Sequence, residues 1–212
     1  MDRYNVVCYF AREHGLEGLR ALIAQKKSPE IKRYFAPTYL FTHRLNPKSQ
    51  DPSRGEREDF YSFKKLAEDN GIPVYSVDSK EEEETSYDIL TQIGRIDLLA
   101  SISWRRLIPA PVLKLPKYGG VNLHRGKLPE YAGAEPLKKA LQRGERKVFI
   151  TAHVLDEKID SGEIIAVRNH PVNYDQSRTL DENVERLKQE ITPYFGGLLL
   201  ESLDSMIGKN GQ

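Results

Sequence analysis

Apolar positions along the chain form short runs that alternate with helical stripes. Residues 5–10 (Asn-Val-Val-Cys-Tyr-Phe) are nearly continuously apolar and short enough for a buried strand. Residues 16–25 place Leu19, Leu22 and Ile23 on one helical face, and residues 34–41 form a second β-rich run. The pattern then lapses over residues 43–58, where two prolines, one glycine and seven formal charges leave Leu45 as the only aliphatic side chain. Such a stretch buries little surface, so an exposed loop, mobile or ordered by ligand, is expected there. Phe60, Phe63, Leu66 and Ala67 restore a helix, which Asn70-Gly71 and Pro73 bring to an end.

Residues 74–77 predict a third strand. Ser79-Lys-Glu-Glu82 is a capping box, and the acids at 81–84 suit the positive end of a helix dipole as a solvated first turn. Tyr87, Leu90 and Ile93 carry that helix inward. Residues 97–103 and 119–124 read as strands separated by a short proline-started helix near 109–115. Residues 134–143 are helical, and 148–155 and 164–172 are two further strands joined by the polar turn 156–163. A second capping box, Thr179-Leu-Asp-Glu182, opens a long stripe from Val184 to Met206, with a kink or break expected at Pro193. This order predicts an α/β fold whose early strands are parallel. Ligands in such sheets sit beyond the carboxyl ends of the strands, which directs attention to the end of residues 119–124.

A length of 212 residues suits one good-sized domain. With 32 Lys+Arg against 31 Asp+Glu there is no basic excess of the kind nucleic-acid binding needs, so no nucleic-acid partner is expected. Apolar windows such as 97–104 fall short of the ~20 residues of a membrane helix. The N-terminus shows no basic-then-apolar signal, so no membrane partner is expected. Cys8 has no second cysteine to pair with; it reads as a core residue, and a reducing cytoplasm is the expected location.

The candidate chemistry lies in Asn122, His124 and Asp160. Two residues apart on a strand, Asn122 and His124 project to the same face, and Asp160 lies in the turn Asp156-Glu-Lys-Ile-Asp-Ser-Gly162. An amide donor and a protonated imidazole can stabilise a developing oxyanion, while a carboxylate orients the imidazole or raises its pKa, a set suited to acyl transfer. Taken alone, the trio fits a hydrogen-bonded structural histidine better than a catalytic one. A metal hydrolase using His124, Asp160 and His153 or His170 lacks any His-X-X-X-His or cysteine pair, so no metal is expected. A nicotinamide enzyme would need a Gly-X-Gly-X-X-Gly after the first strand, and none is there.

Gly120-Val-Asn-Leu-His124, Leu128-Pro-Glu-Tyr-Ala-Gly133, Pro136, Thr151-Ala-His153 and Asp160-Ser-Gly162-Glu-Ile164 together resemble the 10-formyltetrahydrofolate-dependent formyltransferases. That family includes glycinamide ribonucleotide, methionyl-tRNA and sugar-nucleotide N-formyltransferases. Its pattern is an Asn-X-His on a strand, a Leu-Pro-X-aromatic-X-Gly loop, and an Asp-X-Gly turn about 36 residues after the histidine. The match is specific over residues 97–166 and looser but collinear elsewhere. It implies a Rossmann-like formyltransferase fold: a mostly parallel central sheet of about seven strands flanked by helices, with an antiparallel hairpin near 148–172. Residues 1–208 would form a single catalytic domain, followed by a short tail at 209–212.

The resemblance implies formyl transfer from 10-formyltetrahydrofolate, as co-substrate, to a primary amine. Asn122 would hold the formyl oxygen, His124 would share that role as a proton donor, and Asp160 would pair with His124 and relay the amine's proton. The folate would lie against Trp104, Arg105, Arg106 and Leu107 after one strand and against Asp156, Glu157, Lys158 and Ile159 before Asp160. His153 matches a family histidine, though strand alternation would also suit a buried hydrogen-bonded residue. On the acceptor side stand Arg12, Arg125, Gly126, Lys127 and Tyr131, with His14 as a further anion contact. Phe10-Ala-Arg-Glu-His-Gly15 lacks the glycines of the purine branch's phosphate loop, and Arg125-Gly-Lys127 replaces the segment in which the family usually has a serine. Methionyl-tRNA enzymes carry a basic C-terminal domain that this sequence does not show, which also argues against nucleic acid. The charged loop 43–58 resembles the methionyl-tRNA and sugar branch. The expected acceptor is therefore a small amine such as a nucleotide-linked amino sugar; glycinamide ribonucleotide, or a folate- or nucleotide-binding relative without activity, are the alternatives. A homodimer is the expected assembly.

Overall fold

The computed structural model describes residues 2–27 and 31–210. Strands β1 (Asp2–Phe10), β2 (Arg33–Thr42), β3 (Val74–Ser76), β4 (Leu98–Ile102), β5 (Gly120–His124), β6 (Lys147–Val154) and β7 (Ile164–Pro171) form one sheet in the order β3-β2-β1-β4-β5-β6-β7. The first five are parallel; β6 runs antiparallel to β5, and β7 antiparallel to β6. The fold class expected from the alternation of strands and helices, including the antiparallel hairpin, is the one observed.

Helices α1 (Arg12–Ala24), α2 (Phe60–Glu68), α3 (Lys80–Gln92), α4 (Ala110–Leu113), α5 (Pro136–Gln142), α6 (Leu180–Ile191) and α7 (Tyr194–Asn210) cover both faces. The near-continuous apolar run of β1 follows from this double coverage. Val6, Cys8 and Phe10 pack into one core with residues of α1 and α7, while Val7 and Tyr9 pack into the other with Phe41, Leu90 and Val112. Both capping boxes form: Ser79 and Thr179 accept from the backbone N–H of Glu82 and Glu182, whose carboxylates reach back to the cap N–H groups. Pro193 breaks the last stripe outright, separating α6 from α7; α7 continues to Asn210, and residues 211–212 of the expected tail lie outside the described residues. No helix among the described residues is long and apolar enough to cross a membrane.

The loop 43–58 departs from its expected exposure. Its tip is solvated, as are Arg44, Glu56 and Glu58, but Leu45 and Glu56 form an antiparallel bridge, and the N–H of Arg57 donates to the Arg44 carbonyl at 2.8 Å. His43 and Arg57 are buried. Polar pairing, not apolar area, makes this possible. His43 Nδ1 lies 2.6 Å from the Val77 carbonyl oxygen, and Arg57 forks onto Asp59 at 2.8 and 2.5 Å while donating to the His43 carbonyl at 2.6 Å.

Burial holds two of the chain's histidines neutral. It pushes His14 well below its ordinary value, and it lowers His43 to about 3, with the Arg105 charge adding to the effect. Both pKa values are lower folded than unfolded, so the unfolded chain takes up protons first as pH falls. Stability is then fully present above the unfolded value of ~6.5 and declines below it by up to about 1.4 kcal/mol per pH unit for each histidine. Urea unfolding at pH 7.5, 6.5 and 5.5 should show a falling midpoint with constant m; a flat profile would refute the neutral burial of these rings.

Candidate active site

The antiparallel pairing of β5 with β6 places Asn122 opposite His153 and His124 opposite Thr151. Two imidazoles and one amide therefore crowd the carboxyl end of β5. The carboxylate comes from the β6–β7 connection. Asp160 adopts a left-handed conformation (φ 49°), and Gly162 folds back so tightly that a Cβ there would stand 1.9 Å from the Val154 carbonyl oxygen. The turn closes through the Val154 N–H donating to the Glu163 carbonyl at 2.9 Å. Its geometry returns the Asp160 side chain over the strand end.

Asp160 Oδ2 lies 3.2 Å from His124 Nδ1 and accepts from the Gly133 N–H at 2.8 Å. Its Oδ1 lies 3.3 Å from both His153 Nε2 and Asn122 Nδ2. Burial pushes this carboxyl up, but the two histidines and the Gly133 N–H outweigh it and hold its pKa below the ordinary value. It is thus a carboxylate at neutral pH.

His124 Nε2 sits 2.7 Å from the Tyr131 carbonyl oxygen, which can only accept, so the proton of the neutral ring belongs on Nε2. The Nδ1 lone pair then faces Asp160, and a proton entering between them is held by both groups. Burial lowers the His124 pKa, with Asp160 opposing, which keeps that slot empty near neutrality. His153 Nδ1 is 2.8 Å from the Val154 carbonyl oxygen, leaving Nε2 to accept from Asn122 Nδ2 at 3.0 Å. Both amide hydrogens of Asn122 are consequently directed at this cluster. A ligand oxygen must replace the longer contact, the one to Asp160, to claim one of them.

Gly126 keeps the site tight. A Cβ there would stand 2.7 Å from Pro136 Cβ, 2.8 Å from His124 Nε2 and 3.0 Å from the Tyr131 oxygen. Its carbonyl accepts from Thr151 Oγ1 at 2.7 Å. The ring of Tyr131, expected on the acceptor side, is buried instead: its hydroxyl donates to Glu145 at 2.6 Å and Arg143 lies over the ring at 5.3 Å. What Tyr131 offers the site is its backbone carbonyl. Lys127 points to solvent and pairs with Glu130 at 2.7 Å. Arg125 is drawn in; burial, with the nearby Arg12 charge, lowers its guanidinium to about 10, against an opposing Glu185.

Trp104 is wedged rather than open. His43 stacks on it with centroids 4.0 Å apart, and Tyr9 meets it edge-on at 5.1 Å. Arg105 donates to Asp78 at 3.1 Å, and Arg106 donates to Glu83 at 2.5 Å and to the Asp78 carbonyl at 3.1 Å. Both arginines thus turn toward acidic partners in the structure itself. Asp78 is the participant that reading the sequence missed. It stands just after β3, where the rule of strand carboxyl ends would have found it. Leu107 and Ile159, from the segments flanking β5 on either side, are 54% and 62% exposed. Asp156, Glu157 and Lys158 form an exposed loop beside Ile159. Ser103 Oγ, at the end of β4, is buried with no hydrogen-bond partner. Apolar walls, irregular backbone and one orphaned hydroxyl suit a flat heterocycle such as a pterin. Among the described residues no cluster of three or more His, Cys, Asp or Glu is disposed to hold a metal ion.

A formyl transferase family model matches residues 19–194. Methionyl-tRNA formyltransferase of Caldanaerobacter subterraneus is 26% identical over 164 residues, covering 77% of this chain and 53% of that protein. The Kosmotoga olearia enzyme of the same name is 29% identical over 194 residues, with 92% and 55% covered. The chain spans about half the length of the curated relatives it matches. Phosphoribosylglycinamide formyltransferase from Bacillus halodurans superposes with a TM-score of 0.66 at 21% identity, covering 94% of each chain. A formyltetrahydrofolate deformylase from Pseudomonas syringae does so at 0.68 and 17%, with 95% and 61% covered. At these identities the structural likeness is one of fold. The family match rests on most of the chain's length and includes the strand, loop and turn that gather around Asp160: the chain belongs to the formyl transferase family.

Proposed function

We propose that the protein transfers a formyl group from 10-formyltetrahydrofolate to a primary amine on a small, anionic acceptor, with a nucleotide-linked amino sugar favoured and glycinamide ribonucleotide the alternative. The observation that carries this reading is the convergence of Asn122, His124 and Asp160 within hydrogen-bonding range at the end of β5. The folate supplies the formyl carbon as electrophile. Ser103, Leu107 and Ile159 would line its slot, with Trp104 behind. Arg12 and Arg125 are the cations on the acceptor side. A net charge of +1 supports a small acceptor over a polyanion.

The chain's own groups divide the work by charge. A free alkyl ammonium must lose a proton before it can attack, and the ionised Asp160 attracts it and then receives that proton, directly or through water. His124 Nδ1 is the adjoining acceptor, so the proton can settle between imidazole and carboxylate. As nitrogen bonds to the formyl carbon, the carbonyl electron pair moves to oxygen, where Asn122 donates. As the carbonyl re-forms and the bond to the folate nitrogen breaks, the protonated His124–Asp160 pair gives its proton to that nitrogen, and the new amide nitrogen loses its remaining extra proton to the same pair or to water. Gly133 N–H keeps Asp160 aimed throughout.

Incubation with 10-formyltetrahydrofolate and a panel of phosphorylated and nucleotide-linked amines should release tetrahydrofolate and add one formyl group to a single acceptor class. Formate release without amine modification would make the protein a hydrolase, and no release would make it a binding relative. Asn122→Ala should reduce kcat ~100- to 1,000-fold, the usual cost of one oxyanion donor; a loss of only a few-fold would overturn its role. Gly126→Ala should displace His124 from the Tyr131 carbonyl and lower kcat at least tenfold with little change in the KM for folate, in steady-state assays. Unchanged kcat would show that this close packing is irrelevant to the reaction.

A further inference from the structure

On the other side of β5, the strand ends gather guanidinium groups. Arg12 follows β1, Arg54 and Arg57 lie on the loop beyond β2, and Arg105 and Arg106 follow β4. Two of the five are neutralised locally: Arg57 by its fork onto Asp59, and Arg106 by Glu83. For Arg54 and Arg105 there is one carboxylate. Their Nη2 atoms lie 4.0 and 3.1 Å from the same oxygen, Asp78 Oδ1. Asp78 is already occupied, accepting from the N–H groups of Arg44 at 2.9 Å and Leu45 at 3.1 Å. Arg12 donates to Gln50 Oε1, with Asp59 and Glu185 as its acidic neighbours at longer range. Arg54 and Arg105 thus share one carboxylate, leaving one positive charge in excess between them.

The cluster is held in place. Arg54 Nη2 donates to the Asp78 carbonyl at 3.0 Å, and the Arg105 N–H donates to His43 Nε2 at 3.3 Å, beneath the stack of His43 on Trp104. Arg54 Nε is buried without a partner. Burial, and the crowding of Arg57, Arg12 and Arg54 against the help of Asp78, lower the Arg105 guanidinium to about 10. Like charges fixed together at the ligand-binding end of a sheet are a cost to the empty protein that a bound anion would relieve.

We infer that Arg54 and Arg105, which share Asp78, together with Arg12 at the end of β1, bind a phosphoryl group of the acceptor. The ends of β4, β1 and β2 stand one to three strand positions from β5, so this anion and the reacting amine lie ~5 to 15 Å apart on the acceptor. The amine end of this statement rests on the formyl-transfer reading; the anion end does not. A phosphate monoester and a diphosphate share the required chemistry.

Calorimetric titration of the full chain with inorganic phosphate and with pyrophosphate should show saturable binding of at least one. Arg54→Gln should weaken it by about tenfold or more, the usual effect of losing one charge-assisted contact, while Arg54→Lys should retain part of it. An unchanged thermal midpoint checks that the loop variant is folded. Tighter pyrophosphate binding assigns a diphosphate-linked acceptor, and tighter phosphate binding a monoester. Absence of saturable binding, or binding indifferent to Arg54→Gln, overturns the proposal. In turnover, Arg54→Gln should raise the KM of the acceptor about 10- to 100-fold and leave that of 10-formyltetrahydrofolate within about twofold. A rise confined to the folate would assign these arginines to its glutamate carboxylates and overturn the proposal. Anion binding that persists when no amine is formylated would leave this site standing and defeat the transfer reaction instead.

Discussion

A single buried carboxylate ties the functional end of this molecule together. Asp160 touches a ring from β5, a ring from β6, an amide from β5 and a backbone N–H from the loop after β5, all at 2.8 to 3.3 Å. β5 and the loop after it are contiguous, whereas β6 and the turn that carries Asp160 lie farther along the chain. The Gly133 N–H and the Asn122 amide donate to the Asp160 carboxylate, and the charge either ring takes up on protonation holds its pKa below the ordinary value against burial. The cost of desolvation is opposed in the same place by these donors, so removing either loosens the cluster.

The topology makes that meeting possible. Parallel β1, β4 and β5 deliver their ends to one side of the sheet, and the reversal at β6 brings His153 back beside Asn122. Two glycines set the tolerances: Gly162 lets the Asp160 turn lie on the β6 backbone, and Gly126 lets the loop after β5 approach His124. Guanidinium groups collect on the far side of β5, where a ligand longer than the reacting amine would extend. The Asp160 cluster and the guanidinium cluster thus occupy neighbouring strand ends.

Much of this was legible in the order of residues, and the exceptions share a cause. Local signals translated directly: Ser79-Lys-Glu-Glu82 and Thr179-Leu-Asp-Glu182 both cap helices, and Pro193 divides the last one. The sharing of a face by Asn122 and His124 needed only strand alternation. What escaped depends on distant polar partners. Loop 43–58 has almost no apolar content, yet His43 and Arg57 are buried because Val77, Asp59 and the loop's own carbonyls satisfy them. Arg105 and Arg106 face Asp78 and Glu83, more than twenty residues upstream, which no local pattern reveals. Tyr131 contributes a carbonyl rather than its ring, and Gly133 an N–H; backbone groups carry no side-chain signature.

The pairing of His124 with Asp160 is the central claim, and an NMR titration of the His124 imidazole in the native chain and in Asp160→Asn reads it directly. Burial lowers the pKa of this ring and the carboxylate opposes it, so removing the charge should move the His124 pKa further down. An unchanged or higher value in the variant would mean that the two groups do not share a proton, and the account of the site would be wrong.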